Sequence, residues 1–396
     1  MNFKRKQLFL MSVFILFFVF VSHSPAEENK QLQISFYTMV YSVTSYEDLA
    51  EVNFITHVPI ITDDSVPIFL KLSEEEKYNL NVSDFSFKDV RGDQNLIRFT
   101  LNDCIKDEKT YIAFEVYTLK KVCNYEDIPE MVPFSSYSNL GSDLQYYLRP
   151  SPNIQSDDPE IRSKAYEFFY GSWGGRDGIE ISNEIMHFTG GNAYPGTNDQ
   201  TAIGALHNRA ASCTGNANLA AALCRALGVP ARILFVLPTH YIVEVWIPGY
   251  GWVRGESTLG IFPHPKQNWT IQWIANIDDE YYGGIGVEGV VAYWGFEDIV
   301  DFVDGTWDIE YGEIHSNRYF ATIEGDADLN DILFEKGEEL WRLFCQIKNS
   351  ELSDEELGLF SEYQQLYFES LVDNKIQDAL AYVDKAISEA KRLLNI

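Results

Sequence analysis

The sequence predicts an α+β protein in three successive parts: an N-terminal β-sandwich, a mixed core in which a helix precedes a strand hairpin, and a helical C-terminal tail. Three observations carry that expectation. Residues 30–145 run in short alternating apolar and polar stretches punctuated by Gly, Asp, Asn and Pro, the pattern of half-buried antiparallel strands. Residues 213–256 pass from an Ala/Leu-rich stretch to three apolar runs rich in β-branched and aromatic side chains, a change from helical to strand patterning. Residues 326–396 hold no Pro and few Gly, and repeat apolar residues at three- and four-residue steps, as one face of a helix does.

Ahead of the sandwich, Lys4-Arg5-Lys6 precede an unbroken apolar or small run from Leu8 to Val21. As a helix that run extends about 21 Å, short of the roughly 30 Å hydrocarbon core of a bilayer. Ser24-Pro25-Ala26 then offers small residues at the −3 and −1 positions of a cleavage site. Residues 1–26 are expected to be a secretory signal peptide, which makes the protein secreted or cell-surface; an uncleaved N-terminal anchor is the other reading. Export permits disulfides. Of Cys104, Cys123, Cys213, Cys224 and Cys345, the first two lie 19 residues apart in one β-rich region and form the plausible pair. An odd count leaves at least one thiol free. Asn81-Val-Ser83 and Asn268-Trp-Thr270 are glycosylation sequons.

Within the sandwich, Gln33–Val40, Val66–Leu72, Leu96–Leu101 and Tyr111–Leu119 are expected strands. No His, Cys or acidic cluster at catalytic spacing accompanies them, so packing or presentation is their expected role. Arg149-Pro150-Ser151-Pro152-Asn153 suggests a linker into a second domain over 150–325. Asp157-Asp158-Pro159-Glu160 caps a helix over 159–172, and residues 173–200, rich in Gly, Asn and Thr, suggest irregular structure. A helix from about Cys213 to Leu227 is stopped by Gly228-Val229-Pro230. Strands are expected at Ala231–Leu237, His240–Ile247 and Gly251–Glu256, the last two joined through Pro248-Gly249-Tyr250, with strand-like sequence continuing to about residue 325. In the tail, Ile376, Leu380, Val383, Ile387, Ala390 and Leu394 mark one helix and Leu329, Ile332, Leu340, Leu343 and Phe344 an earlier one. A helical hairpin or three helices packed on the body of the protein follows.

The charge balance narrows the function. Acids number 59 against 30 bases, a net charge of −29, and removing residues 1–26 takes away three bases and no acid. Such a surface repels phosphate backbones and anionic lipid. Nucleic-acid partners are therefore excluded as a main role, and no membrane contact is expected beyond the possible N-terminal anchor.

Cys213 stands at the start of its predicted helix, where the dipole and unpaired N–H groups favour a thiolate, although a lone cysteine is more often a small apolar core residue. His240 opens one hairpin strand and Glu256 lies on the next. A short turn sets them opposite each other and a longer one makes them diagonal neighbours, with Cβ atoms about 5–8 Å apart either way. A carboxylate there holds an imidazole in one tautomer and stabilises its cation, and that cation favours a nearby thiolate. Cys, His and Glu in this order, on a helix start and two adjacent strands, resemble the transglutaminase-like superfamily. The carriers are Leu206-x6-Cys213 with Leu223-Cys224-Arg225-Ala226-Leu227-Gly228-Val229-Pro230-Ala231-Arg232, and His240-x3-Glu244-Val245-Trp246-Ile247-Pro248-Gly249-Tyr250-Gly251-Trp252-Val253.

The resemblance covers residues 190–260 closely and 150–325 as a domain. It implies a papain-like/transglutaminase-like core with Cys213 as nucleophile, His240 as general base and acid, and Glu256 as orienting acid. Two positions depart from the family's pattern. Glu256-Ser257-Thr258 stands where members usually carry Asp-Pro-Thr, and Ala211 stands where Gly is frequent two residues before the cysteine. The oxyanion donor has the Cys213 N–H as one half and Tyr194, His207 or Trp173 as candidates for the other.

Other motifs dissolve on inspection. Gly284-Ile285-Gly286-Val287-Glu288-Gly289 lacks the flanking strand and helix of a dinucleotide loop. Gly255-Glu256-Ser257-Thr258-Leu259-Gly260 misses a nucleophile elbow by one residue. Asp326-x-Asp328-x-Asn330 lacks the Gly and Glu of a calcium loop, because Asp331 and Gly337 hold those places, and a helix N-cap accounts for it. With no H-E-x-x-H, and with His187 and His207 outside any ligand pattern, no metal or other cofactor is expected. The expected function is an exported thiol acyl-transfer enzyme on peptide or Gln-type amides in a protein or peptide substrate. The resemblance implies hydrolysis, as by a cysteine peptidase or amidase, over cross-linking. The alternative is a catalytically silent surface binding or structural protein on the same fold.

Overall fold

The computed structural model describes residues 31–396 except 46–47, 75–77, 90–94, 123–124, 126–127, 172–176, 195–198, 238–239, 265–269, 275–284, 288–289, 293–306, 312–314, 324 and 351. The expected signal peptide, Cys123, Trp173 and the sequon at Asn268 lie outside the described residues.

The alternating N-terminal segment forms β1 (Leu32–Ser45), β2 (Leu49–His57), β3 (Ser65–Leu72), β4 (Val82–Asp89), β5 (Asn95–Cys104) and β6 (Lys109–Lys121). They divide into two antiparallel sheets, β1-β6-β3 and β2-β5-β4. Large aromatics close the space between them. Tyr41 of one sheet meets Phe54 of the other with ring centroids 5.1 Å apart, and Phe114 meets Phe99 at 5.2 Å. All four rings are fully buried, which is how a chain rich in Phe and Tyr gains its apolar burial. The Tyr41 phenol is not left unpaired, because Thr56 Oγ1 donates to it at 2.7 Å. Cys104 is a buried thiol beside Thr110; its expected disulfide partner, Cys123, lies outside the described residues.

After β6 come two short helical turns, Phe134–Asn139 and Ser142–Tyr146, and then α1 (Pro159–Gly171), α2 (Gly178–Gly190), α3 (Ala202–Asn208) and α4 (Cys213–Ala226). A second sheet region has the order β10 (Thr270–Ile274), β7 (Ala231–Leu237), β8 (His240–Ile247), β9 (Gly251–Gly255). Helix α4 is buried along nearly its whole length and packs on β7 and β8, with α1, α2 and α3 around it. Its run of alanines lets those neighbours approach closely.

Two expectations are corrected here. Residues 178–190 are helical rather than irregular. Asp177 caps α2 by accepting from the Ile179 N–H at 3.1 Å, and Ile181, Ile185, Met186 and Thr189 form its buried stripe. The glycines that suggest a loop stand at its ends. Nor is the segment at 149–153 a free spacer, because Arg225 Nη1 donates to the Arg149 carbonyl at 3.0 Å, and Ser151 and the following Ile154 are buried.

A third correction concerns the described strands between residues 285 and 323, which pair with the sandwich and not with the core. β11 (Ile285–Val287) pairs with β2 and with β12 (Val290–Ala292). β13 (Trp307–Tyr311) and β14 (His315–Ile323) take successive halves of the second edge of β1. β1 is buried along most of its length, so both of its edges need partners. The pattern of a strand reports its faces, not which distant segment fills its edge.

The tail is three helices, α5 (Ala327–Lys348), α6 (Asp354–Val372) and α7 (Ile376–Leu394). Asp326 caps α5 by accepting from Leu329 N–H at 2.8 Å. The tail covers β3 and β4, the outer strands of the two sandwich sheets. Phe87 meets Trp341 edge-on at 5.6 Å, and Phe69 stacks on Phe368 at 5.1 Å. Covering these edges removes two templates for unwanted pairing.

Candidate active site

Cys213 is the first residue of α4 and is 7 % exposed. Its predecessor Ser212, the N-cap, does not cap the helix with its own hydroxyl. The side chain of Gln200 does so instead. Gln200 Oε1 accepts from the Ser212 N–H at 3.0 Å, the Ser212 hydroxyl at 2.7 Å and the Gly215 N–H at 3.1 Å. Gly215 makes room for this, since a Cβ there would lie 2.7 Å from Gln200 Oε1. The approach to Cys213 is held by backbone bonds between Ala193 and both Arg209 and Ala211, at 2.8 and 3.0 Å.

His240 and Glu256 meet through the β8–β9 hairpin. The ladder runs from Val243↔Gly255 to Ile247↔Gly251, with Gly249 at φ +83° in the turn, a conformation that glycine adopts without strain. This register makes Glu256 the diagonal neighbour of His240 rather than its direct partner, and the length of the glutamate spans the gap. His240 Nε2 and Glu256 Oε2 are 2.5 Å apart. The other carboxylate oxygen accepts the Thr258 N–H at 2.8 Å. Glu256 is 1 % exposed, and its loop closes on itself through reciprocal backbone bonds with Ile261 at 2.9 and 3.0 Å. Helix α2 braces that loop. Thr189 Oγ1 donates to the Ser257 carbonyl at 3.0 Å, and a Cβ on Gly190 would fall 2.6 Å from the Gly260 nitrogen.

His240 is also hydrogen-bonded to Cys213. With Nε2 committed to Glu256, Nδ1 is the ring nitrogen that serves the thiol. Burial alone would push the imidazole down, but the bonds to Cys213 and Glu256 and the carboxylate's charge outweigh it and raise His240 to about 9. For Glu256, burial works toward protonation, yet His240 and the Thr258 N–H hold it below the usual carboxylate range. Near neutral pH the pair is therefore a carboxylate and an imidazolium.

Behind this pair lies a buried ion network that ties the hairpin to the sandwich. Arg254, 1 % exposed, donates to Asp64 at 2.9 Å and to Glu244 at 3.3 Å, and Glu244 is also bonded to Arg232 at 2.6 Å.

Residues 180–256, from the bracing helix α2 to Glu256, match the model of the transglutaminase-like superfamily. The chain carries a transglutaminase-like core. Two solved structures are similar to it in part. A candidate cysteine protease from Cytophaga hutchinsonii is 19 % identical, covering 72 % of this chain and 91 % of its own, with a TM-score of 0.49. A candidate protease from Parabacteroides distasonis ATCC 8503 is 14 % identical, covering 61 % of this chain and 47 % of its own, with a TM-score of 0.27. No curated protein matches the chain.

The transglutaminase-like core thus brings Cys213, His240 and Glu256 together. The upstream oxyanion candidates have other surroundings or lie outside the described residues. His207 is bonded to Glu160 of α1 at 2.9 Å, Tyr194 is 73 % exposed, and Trp173 lies outside the described residues. Gln200, which touches the nucleophile's helix, carries no motif spacing that marks it in the sequence. Among the described residues, no three His, Cys, Asp or Glu side chains gather as a metal site.

Proposed function

We propose that the protein is an exported thiol hydrolase, a cysteine peptidase or amidase, acting on peptide or Gln-type amides through Cys213, His240 and Glu256. The observation that carries this reading is one imidazole bonded both to a buried carboxylate and to a cysteine at a helix start. The run at residues 1–26 supports export, and the superfamily match supports acyl transfer at a thiol.

In this mechanism the Cys213 thiolate attacks the amide carbonyl carbon and a C–S bond forms. The Cys213 N–H faces the developing oxyanion. His240 gives its Nδ1 proton to the departing nitrogen as the C–N bond breaks, leaving a thioester and a neutral imidazole. That imidazole takes a proton from water, the hydroxide adds to the thioester, and the C–S bond breaks to return the thiolate–imidazolium pair. An amine in place of water would give cross-linking. Glu256 fixes the ring throughout and stabilises its cation. The contact of the longer acid at 256 with His240 supports the enzyme reading over a silent binding module.

The test is alkylation of each cysteine against pH, read by mass spectrometry, in wild type and a His240→Ala variant. Selective alkylation of Cys213 well below the ordinary thiol range of about 8.5, lost in the variant, is the expected result. A Cys213→Ala protein that matches wild type on a broad panel of peptide and Gln substrates would overturn the reading.

A further inference from the structure

We propose that Gln200 is a positioning residue for the Cys213 thiolate: it caps the nucleophile's helix with a neutral amide and so leaves the positive helix end to the sulfur. The inference rests on the thiol-hydrolase reading and adds a residue to it.

The first support is geometric. Two of the three donors on Gln200 Oε1 are backbone N–H groups, of Ser212 and Gly215. Backbone N–H can only donate, so the atom facing them is the amide oxygen. The N–H groups of Cys213 and Thr214 lie in the same first turn, between the two backbone donors that Oε1 accepts. The absence of a side chain at Gly215 is what admits the amide, and Asn218 Nδ2 anchors its backbone by donating to the Gln200 carbonyl at 2.8 Å.

The second support is the contrast with other helices of a strongly acidic chain. Asp158 accepts from the Glu160 N–H at the start of α1, Asp177 caps α2 and Asp326 caps α5. Acids also occupy the first turns of α1, α2, α5 and α7. Helix α4, like the short α3 with its Thr201 cap, has no acid in its first turn. A carboxylate cap there would satisfy the same N–H groups but would cancel the helix-end potential that favours a thiolate. Asp199, adjacent to Gln200, is turned to α3 instead, where its Oδ1 accepts from the Thr201 N–H at 3.1 Å and the Thr201 hydroxyl at 2.6 Å. The titratable groups that do face Cys213 are His240 and Tyr241 on β8, with Glu256 behind His240.

The test is Gln200→Glu in the full chain. It keeps an acceptor oxygen in the same place and adds one negative charge. The midpoint of the pH profile for Cys213 alkylation by iodoacetamide should move up by about half to one pH unit, slowing the reaction roughly three- to tenfold below the midpoint. The thermal unfolding midpoint should hold or rise. A folded variant with an unmoved profile makes Gln200 a structural cap only and overturns the proposal. If Gln200→Glu does not fold, Ser212→Asp decides, because its carboxylate takes over the Gly215 N–H from the N-cap position. The same upward move supports the proposal and an unmoved profile overturns it. An ordinary thiol profile in wild type sinks the hydrolase reading and this one together. A His240-dependent profile that neither variant moves sinks this one alone.

Discussion

Replacing Glu256 by aspartate restores the acid usual in the superfamily, and the structure makes that change damaging. The carboxylate retracts by one C–C bond, about 1.5 Å. The 2.5 Å contact with His240 then opens to about 4 Å, beyond hydrogen-bond range. The loop cannot follow freely, because Thr189 and the Gly190–Gly260 contact hold it against α2. The rise of His240 from 6.5 to about 9 corresponds to ~3 kcal/mol in favour of the imidazolium, with Cys213 and Glu256 as its sources. Losing the Glu256 share should lower the His240 titration by about one pH unit or more. The assay is an NMR titration of the histidine Cε1–H signals, assigned by His240→Ala, with Glu256→Gln as the control that keeps length and removes charge. Alkylation of Cys213 at pH 6 should slow in both variants. A Glu256→Asp protein whose His240 titrates within about 0.3 pH unit of wild type refutes the claim that side-chain length sets this contact.

The His240–Glu256 pair should also show in stability. On the histidine side its contribution is full below about pH 6.5 and disappears as pH rises through about 9; on the acid side it is lost as Glu256 protonates below the normal carboxylate range. Urea denaturation of wild type against Glu256→Gln should show the widest gap near pH 5–6.5 and none above about pH 10. Arg254→Met leaves Asp64 and Glu244 short of a buried cation and should cost about 3–5 kcal/mol in the same assay. Gly190→Ala drives a methyl into the Gly260 backbone; a loss of about 1–3 kcal/mol should accompany slower Cys213 alkylation. Trp341→Ala in the tail, which removes its packing on Phe87 of the sandwich, should cost about 3–5 kcal/mol with the His240 titration unchanged.

Local patterns were legible where local chemistry decides them. Helix α4 and strands β7, β8 and β9 follow from the Gly228-Val229-Pro230 stop and the Pro248-Gly249 turn, within a residue of the expected bounds. The contact of His240 with Glu256 was legible as a neighbourhood. Its diagonal form was not, because the turn conformation that sets the register is not written in residue type alone. Helix α2 hid behind its terminal glycines although Asp177 and the 181/185/186/189 spacing announce it. The return of β11, β13 and β14 to the sandwich was illegible for a different reason, since edge pairing is a long-range choice among many compatible strands. Gln200 was missed because an amide reaching a helix 12 to 15 residues later leaves no periodic trace.

The placement of the core between two sets of sandwich strands has a consequence for folding. β1 stands more than 260 residues ahead of β13 and β14, which complete its second edge. Until they pair, that edge of β1 stays open, and unpaired strand edges make folding intermediates prone to aggregation. Closing the second edge of β1 therefore depends on contacts of very high sequence separation, which are slow to form. Exposure of that edge during folding is then a property of where the core is inserted, independent of how stable the finished molecule is.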